Sequence, residues 1–337
     1  MIPLRLLGLV ITLIGTLCAG VIGFAITIAP EVNQGWSVTY ATTNGSQSFW
    51  RLHLLDVDRD VFFTLVDAEM LAASLPAISP NERYVVLEGT RLVLMDLWQN
   101  KTYQMQQGGG NVVWTPDNTR FAYLHEGEAY ITVVDEQTGP TELLIPIGIS
   151  LSDYLVGWSP NGQQLVYIHR DTLMLLDIRT GEHHTLISDE DVNFRFVEWS
   201  PDGRHLLVSF NFERNMNRYV LQLLPMTDVS APIEPMTLFD QLDRVVNLKW
   251  SPDGQRIVLV EMPGNVRTMR ILSLLPDQGR ITGDLLLPLD ARQVQWSPDG
   301  RRLLFINQRD ADLYVVDAIG SNLRRVTDNN MRNVLLR

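Results

Sequence analysis

Three copies of one five-residue string constrain this chain more than anything else in it. They are Trp199-Ser200-Pro201-Asp202-Gly203, Trp250-Ser251-Pro252-Asp253-Gly254 and Trp296-Ser297-Pro298-Asp299-Gly300. Looser copies stand at Trp158-Ser159-Pro160-Asn161-Gly162, Trp114-Thr115-Pro116-Asp117-Asn118 and Ile78-Ser79-Pro80-Asn81-Glu82. With Trp or Ile as the marker, successive copies lie 36 to 51 residues apart. A period in that range means an array of supersecondary units, each too small to bury its own apolar face.

The last unit shows what one repeat contains. Val294 and Trp296 alternate on one face, as in a strand. Ser297 to Gly300 is a turn, in which proline presets φ and glycine accepts a positive φ. Arg302–Asn307, Asp312–Asp317 and Leu323–Thr327 read as three further strands. Four short antiparallel strands per repeat is the sequence form of a propeller blade. Second strands are expected likewise at Arg83–Leu87, Arg120–Leu124, Gln164–Ile168, His205–Ser209 and Arg256–Val260. No stretch after residue 30 carries a helical period. The marker Trp recurs at one structural position, so it is expected to fill the wedge between blades rather than to stack on a sugar or base.

Six marker units occupy residues 75–328. Before them, Trp36–Thr42, Ser48–Leu55 and Val61–Val66 read as three strands lacking an innermost one. After them, Asn333–Arg337 reads as one strand lacking the other three. Together they would make a seventh blade and hide the edges of an open array. Six blades with accessory end strands is the alternative. The fold class expected is all-β: a β-propeller of four-stranded blades after one amino-terminal transmembrane helix.

The string Trp-Ser-Pro-Asp-Gly followed by a strand resembles the signature of the PD40, or TolB-like, family of propeller repeats. The resemblance covers roughly residues 75–328 and implies the repeat type and its fold. Neither the separate α/β domain of TolB nor the hydrolase domain of prolyl-oligopeptidase-like peptidases is expected, so the resemblance implies no activity.

Leu6 to Ala29 is a run of 24 residues without a charge, preceded by Arg5. As a helix it would reach about 36 Å, enough to cross a bilayer core with some tilt. Residues 1–30 are therefore read as a membrane anchor, or as a cleaved signal, and residues 31–337 as the propeller. Either reading places the propeller outside the cytoplasm, on the cell membrane or secreted. Gly8, Thr12, Thr16 and Gly20 are spaced four apart, so a dimer through the membrane helix is an open alternative. Cys18 is the sole cysteine and lies inside this run, so the exported part must be stabilised by packing without disulfides.

The net charge of −12 argues against nucleic acid as a partner, which needs a basic face to exchange for its counterions. No catalytic, cofactor or metal constellation is legible. Asp56-Val57-Asp58-Arg59-Asp60 lacks the glycine that a calcium loop needs at its sixth position, where Val61 stands. His183 and His184 would point to opposite faces of a strand. Gly157-Trp158-Ser159-Pro160-Asn161 lacks the second glycine of a nucleophile elbow. Asp189-Glu190-Asp191 reads as an acidic surface loop.

Connections between second and third strands vary most, the longest being Asn211 to Arg218 and Met262 to Thr268. Variable loops on a rigid scaffold are where binding lives. The partner-binding residues expected are Asn193, Arg195, Arg214, Arg218 and Arg267, and the partner expected is another envelope protein or a peptide. A non-catalytic binding module is the reading; a hydrolase or lyase acting on glycans or peptides in the central channel is its alternative.

Overall fold

A computed structural model describes residues 36–336 apart from 44–49, 60, 69–75, 89–90, 106–107, 127, 136, 149–153, 214, 228–232 and 328–333. The amino-terminal apolar run lies outside the described residues. Among those described, no helix is long and apolar enough to cross a membrane. The helical turn seen is a 3-10 turn at Pro276–Gln278.

The described strands form seven four-stranded antiparallel sheets. Sheet 1 pairs Ala77–Ile78, Tyr84–Leu87, Val93–Asp96 and Lys101–Gln104. Sheet 2 pairs Gly110–Trp114, Arg120–His125, Glu128–Asp135 and Gly139–Gly148. Sheet 3 pairs Tyr154–Trp158, Gln164–His169, Thr172–Asp177 and His183–Ser188. Sheet 4 pairs Val192–Trp199, His205–Phe212, Asn215–Pro225 and Met236–Leu242. Sheet 5 pairs Arg244–Trp250, Arg256–Met262, Thr268–Leu275 and Arg280–Leu287. Sheet 6 pairs Ala291–Trp296, Arg302–Asn307, Leu313–Asp317 and Arg324–Arg325. Sheet 7 joins the two ends of the chain: Val334–Leu336, then Ser37–Thr43, Trp50–Asp56 and Val61–Ala68. Its register sets Tyr40 opposite Leu336 and Thr42 opposite Val334.

The first-named strand of each sheet lies beside its neighbours in this order, so the seven form an inner wall. Alternation along each strand sends side chains to both faces of its sheet. In sheet 4, Leu206 and Val208 pack toward sheet 3, whereas Leu207 packs toward sheet 5. Six apolar layers result, one between each consecutive pair from sheets 1 and 2 to sheets 6 and 7. The marker tryptophans sit in these layers, each against the preceding sheet, and all are buried. Truncating one to alanine would cost about 3–5 kcal/mol.

The turn after each marker is built the same way six times. The Ser or Thr hydroxyl donates to the Asp or Asn two residues on, as Ser200 to Asp202 at 2.6 Å and Ser159 to Asn161 at 2.7 Å. The same hydroxyl oxygen accepts the backbone N–H that starts the second strand, as from Arg302 at 2.9 Å. The fifth position has φ near +67° at Gly254 and Gly300; Asn118 and Glu82 adopt similar values where glycine is absent.

Polar ties link the sheets at the same end. The side chain six residues after the marker covers the Trp of the next sheet. Tyr84 stacks on Trp114 with ring centroids 5.8 Å apart. The guanidinium groups of Arg120, Arg256 and Arg302 lie 5.5, 5.0 and 5.1 Å from the ring centroids of Trp158, Trp296 and Trp36. Arg120 and Arg256 also donate to the carbonyls of Gly162 and Gly300, both at 2.8 Å. The indole N–H groups of Trp114, Trp158 and Trp296 donate to the carbonyls of Ala77, Val113 and Lys249 at 3.2, 3.1 and 3.2 Å.

Sheet 4 lacks both ties at both of its boundaries. Gln164 and His205 occupy the position held elsewhere by Tyr or Arg. The indole nitrogens of Trp199 and Trp250 are buried without an acceptor among the described residues. Apolar packing therefore holds sheet 4 to sheet 3. Sheet 5 adds the Lys249–Glu198 pair at 3.2 Å and the approach of His205 to Asp277 at 3.6 Å.

One expected loop is corrected. Asn211 to Arg218 is a strand hairpin, with Phe212 opposite Asn215. Phe210 contacts Phe194 and Phe212 at ring-centroid distances of 6.4 and 5.6 Å, and buried Asn211 donates to the Met216 carbonyl at 3.0 Å. Aromatic packing carries the strands through a segment whose polar composition suggested a loop.

Restoring the missing ties should stabilise the fold. Gln164→Arg and His205→Arg are each expected to add about 1 kcal/mol, and Arg256→Ala to remove about 2 kcal/mol. Thermal denaturation checks this; arginine substitutions that leave Tm unchanged or lower it would refute the account.

Candidate functional site: the loop-bearing end of the inner wall

Antiparallel pairing puts the uniform Ser-Pro-Asp-Gly turns at one end of the sheets and the second-to-third connections at the other. At that second end the inner strands are irregular. In sheets 4, 5 and 6 an extra residue bulges out four positions before the marker: Arg195, Val246 and Arg292. In sheet 3 the break falls between Leu155 and Gly157, and in sheet 2 between Gly110 and Val113. A bulge re-aims a side chain and frees a backbone group from the ladder.

Sheets 1 to 3 use those freed groups to bind one another. Asn111, held at φ 55°, donates its amide to the Leu155 carbonyl at 3.0 Å and accepts the Leu155 N–H. Glu88 accepts the Val112 N–H at 3.1 Å. Sheets 4 and 6 place arginines there instead, and sheet 5 places Val246.

Farther along the wall, the residue before the marker is Glu198, Lys249 and Gln295 in sheets 4, 5 and 6. Lys249 Nζ reaches Glu198 Oε1 at 3.2 Å across the sheet boundary. Glu198 Oε2, Asn247 Oδ1 and Gln295 Oε1 are buried atoms without a hydrogen-bond donor among the described residues. Burial pushes the Glu198 carboxyl above the usual carboxylate range, against the attraction of Lys249. Desolvation favours the protonated form of such a group.

The expected partner-binding residues do not form one cluster. Asn193 lies opposite Asn211, and the exposed Arg195 donates from Nε to Asn211 Oδ1 at 3.1 Å. Arg218 points along its sheet to the outer strand, donating to the Asp240 carbonyl at 2.7 Å, and stands apart. Arg214 lies outside the described residues. Arg267 crosses from sheet 5 to sheet 6, where its Nη1 donates to Gln308 Oε1. Close by is Arg292, whose charge is disfavoured by burial first and then by Arg267. Arg292 was missed in the sequence. Counting back from each marker would have found it, since it occupies the same repeat position as Arg195.

Other sequence candidates have structural duties. Asp56 accepts the backbone N–H groups of Asp58 and Arg59 at 3.1 and 3.0 Å, while Asp58 pairs with Arg302 at 2.7 Å. His183 sits on an outer strand, 2.8 Å from the Tyr167 hydroxyl. Ser159 is buried in its turn. Asp189 accepts the Asp191 N–H at 3.0 Å, closing the acidic loop on itself.

The sign of the Glu198 shift gives a test. A raised carboxyl means the ionised form is disfavoured in the fold, and that penalty is present above the folded pKa and absent below the ordinary carboxylate range. Glu198→Gln should therefore raise Tm relative to the parent at pH 8, with the difference shrinking toward pH 4. A parent that melts higher than the variant at pH 8 would contradict it.

No protein-family model matches the sequence, and no curated protein matches it. Among solved structures, a candidate 6-phosphogluconolactonase from Bacteroides uniformis is 15% identical, with TM-score 0.60 over 90% of this chain and 99% of its own. The Cps50 (Swd1) β-propeller domain of Myceliophteria thermophila is 16% identical, with TM-score 0.51 over 80% of this chain and 94% of its own. TolB from Acinetobacter baumannii is 17% identical over 75% of this chain and 64% of its own, with TM-score 0.48. The PD40 resemblance thus rests on the five-residue motif. At these identities the likeness concerns the fold alone, and that fold is the β-propeller.

Proposed function

We propose that the chain is a closed propeller of seven blades that serves as a non-catalytic protein- or peptide-binding module outside the cytoplasm, held to a membrane by its amino-terminal segment. Seven sheets, the last built from both chain ends, support the blade number and the closure. The uncharged run Leu6 to Ala29 supports the membrane part.

The observation that carries the binding reading is the contrast between the two ends of the sheets. One end repeats a single turn chemistry. The other exposes Tyr154, Met216 and Val266, at 57%, 59% and 60%, among Asn193, Arg195 and Arg267. Exposed apolar side chains and arginines at one end of a rigid scaffold suit a protein or peptide surface. The net charge of −12 argues for an envelope protein or peptide over nucleic acid. A hydrolase or lyase reading has one observation in its favour, the raised carboxyl of Glu198 on the inner wall. Lys249, not a second acid, is its charged neighbour.

Photo-crosslinking residues placed at Tyr154 and Met216 should capture a partner in cells, whereas one at Ile319, exposed at the uniform end, should not. Capture from Ile319 alone would overturn the reading. Deleting residues 331–337 should destabilise the whole propeller by about 3 kcal/mol or more, through lost strand pairing and an exposed edge. An unchanged melting temperature would count against closure.

A further inference from the structure

We propose that the uniform end of the sheets lies against the surface of a zwitterionic phospholipid bilayer, with Ile319 and Leu323 in the lipid interface and the loop-bearing end turned away. This rests on the membrane-anchor reading above and adds the orientation of the propeller and the surface that its uniform end meets.

Trp36, the first described residue after the uncharged run, is fixed at that end. It is buried; its N–H donates to Asp58 at 2.9 Å, and its carbonyl accepts from Val57 at 2.8 Å. Arg302, at the start of the second strand of sheet 6, covers its ring at 5.1 Å and pairs with Asp58 at 2.7 Å. Arg324 donates to the Val57 carbonyl at 2.6 Å. The point from which the chain leads back to the anchor is therefore held against sheet 6, beside its Ser-Pro-Asp-Gly turn.

Six residues, Pro30 to Gly35, separate the uncharged run from Trp36. Fully extended they span about 21 Å. The strand Ser37–Thr43 of sheet 7 rises about 24 Å from this end toward the other. A bilayer at the loop-bearing end would require those six residues to run back along the whole height of the sheet, and they are too short. A bilayer at the uniform end requires no return.

Apolar side chains are exposed around the same point. Ile319, 77% exposed, tips the turn between the third and fourth strands of sheet 6, and Leu323, 49% exposed, precedes Arg324. Trp98, also exposed, tips the corresponding turn of sheet 1, which adjoins sheet 7 in the closed ring proposed above. Aliphatic side chains and tryptophan are favourably placed at the headgroup level of a bilayer. Exposed apolar residues occur at both ends of the sheets; the fixed position of Trp36 decides which end meets lipid. The turn aspartates select the kind of lipid. The Ser297 hydroxyl and the Arg301 N–H hold the Asp299 carboxyl below the usual carboxylate range, so this end keeps its negative charge and suits a surface without net charge.

The test uses the full chain with Cys18→Ser, reconstituted into phosphatidylcholine vesicles. One further substitution, Ile319→Cys, Leu323→Cys, Met216→Cys or Tyr154→Cys, carries an environment-sensitive fluorophore in each preparation. Phosphatidylcholine bearing a nitroxide on its headgroup should remove most of the emission at positions 319 and 323 and leave that at 216 and 154 unchanged. Quenching at 216 and 154 alone, or equal quenching at all four, overturns the proposal. If no position is quenched while the chain floats with the vesicles on a density gradient, the orientation falls and the anchor stands. If the chain does not float with them, the anchor reading itself falls.

Discussion

The contact on which the rest depends is a tryptophan wedged between two twisted sheets and covered by a side chain from the sheet before it. Twisted sheets packed face to face diverge away from the inner wall, and a large flat side chain fills that divergence without leaving a void. The indole then has one polar atom to satisfy, and the preceding inner strand offers a carbonyl at about the right height. At three boundaries that bond is made and a ring or guanidinium closes over the indole. The two boundaries of sheet 4 forgo both. Among the described residues, blade stacking is thus one physical solution applied repeatedly and interrupted at sheet 4.

Much of this could be read from the residues alone. The marker string, the turn that follows it and the alternation after it specify strands through local geometry, and local geometry is what a linear pattern encodes. The pairing of Val334–Leu336 with Ser37–Thr43 was also legible, because each end of the chain held an incomplete blade. The ties between sheets were not. Arg120, Gln164, His205, Arg256 and Arg302 stood in plain view as strand starts, with Tyr84 second in its expected strand, yet the role of this column lies in contact with a residue one repeat away. Nothing in the period of a strand says that its first side chain will cover an indole in the next sheet.

The candidate site was half legible for a related reason. Arg195 and Arg267 attracted notice as arginines in irregular stretches, but their partners depend on where a bulge falls and how a connection crosses a boundary. Arg218 had the same sequence credentials and is turned toward Asp240 instead. The stretch from Asn211 to Arg218 misled because Asn, Glu and Arg suggest a loop, while Phe210 and Phe212 supply enough contact to prolong the strands. Repetition fails at the loop-bearing end: side chains of sheets 1 and 2 take up backbone groups freed in sheets 2 and 3, and the bulges of sheets 4 and 6 carry arginines.

The last sheet also has a bearing on how the chain is made. Leu336 pairs with Tyr40, so this sheet cannot be completed until the other six have been synthesised. Three strands near the start of the chain must wait through the translation of six other sheets, with one edge open throughout. Contacts so distant in sequence are slow to form, and an unpaired edge is a place for another chain to add. The arrangement that pairs these distant segments in the finished molecule therefore leaves a strand edge open in the growing one.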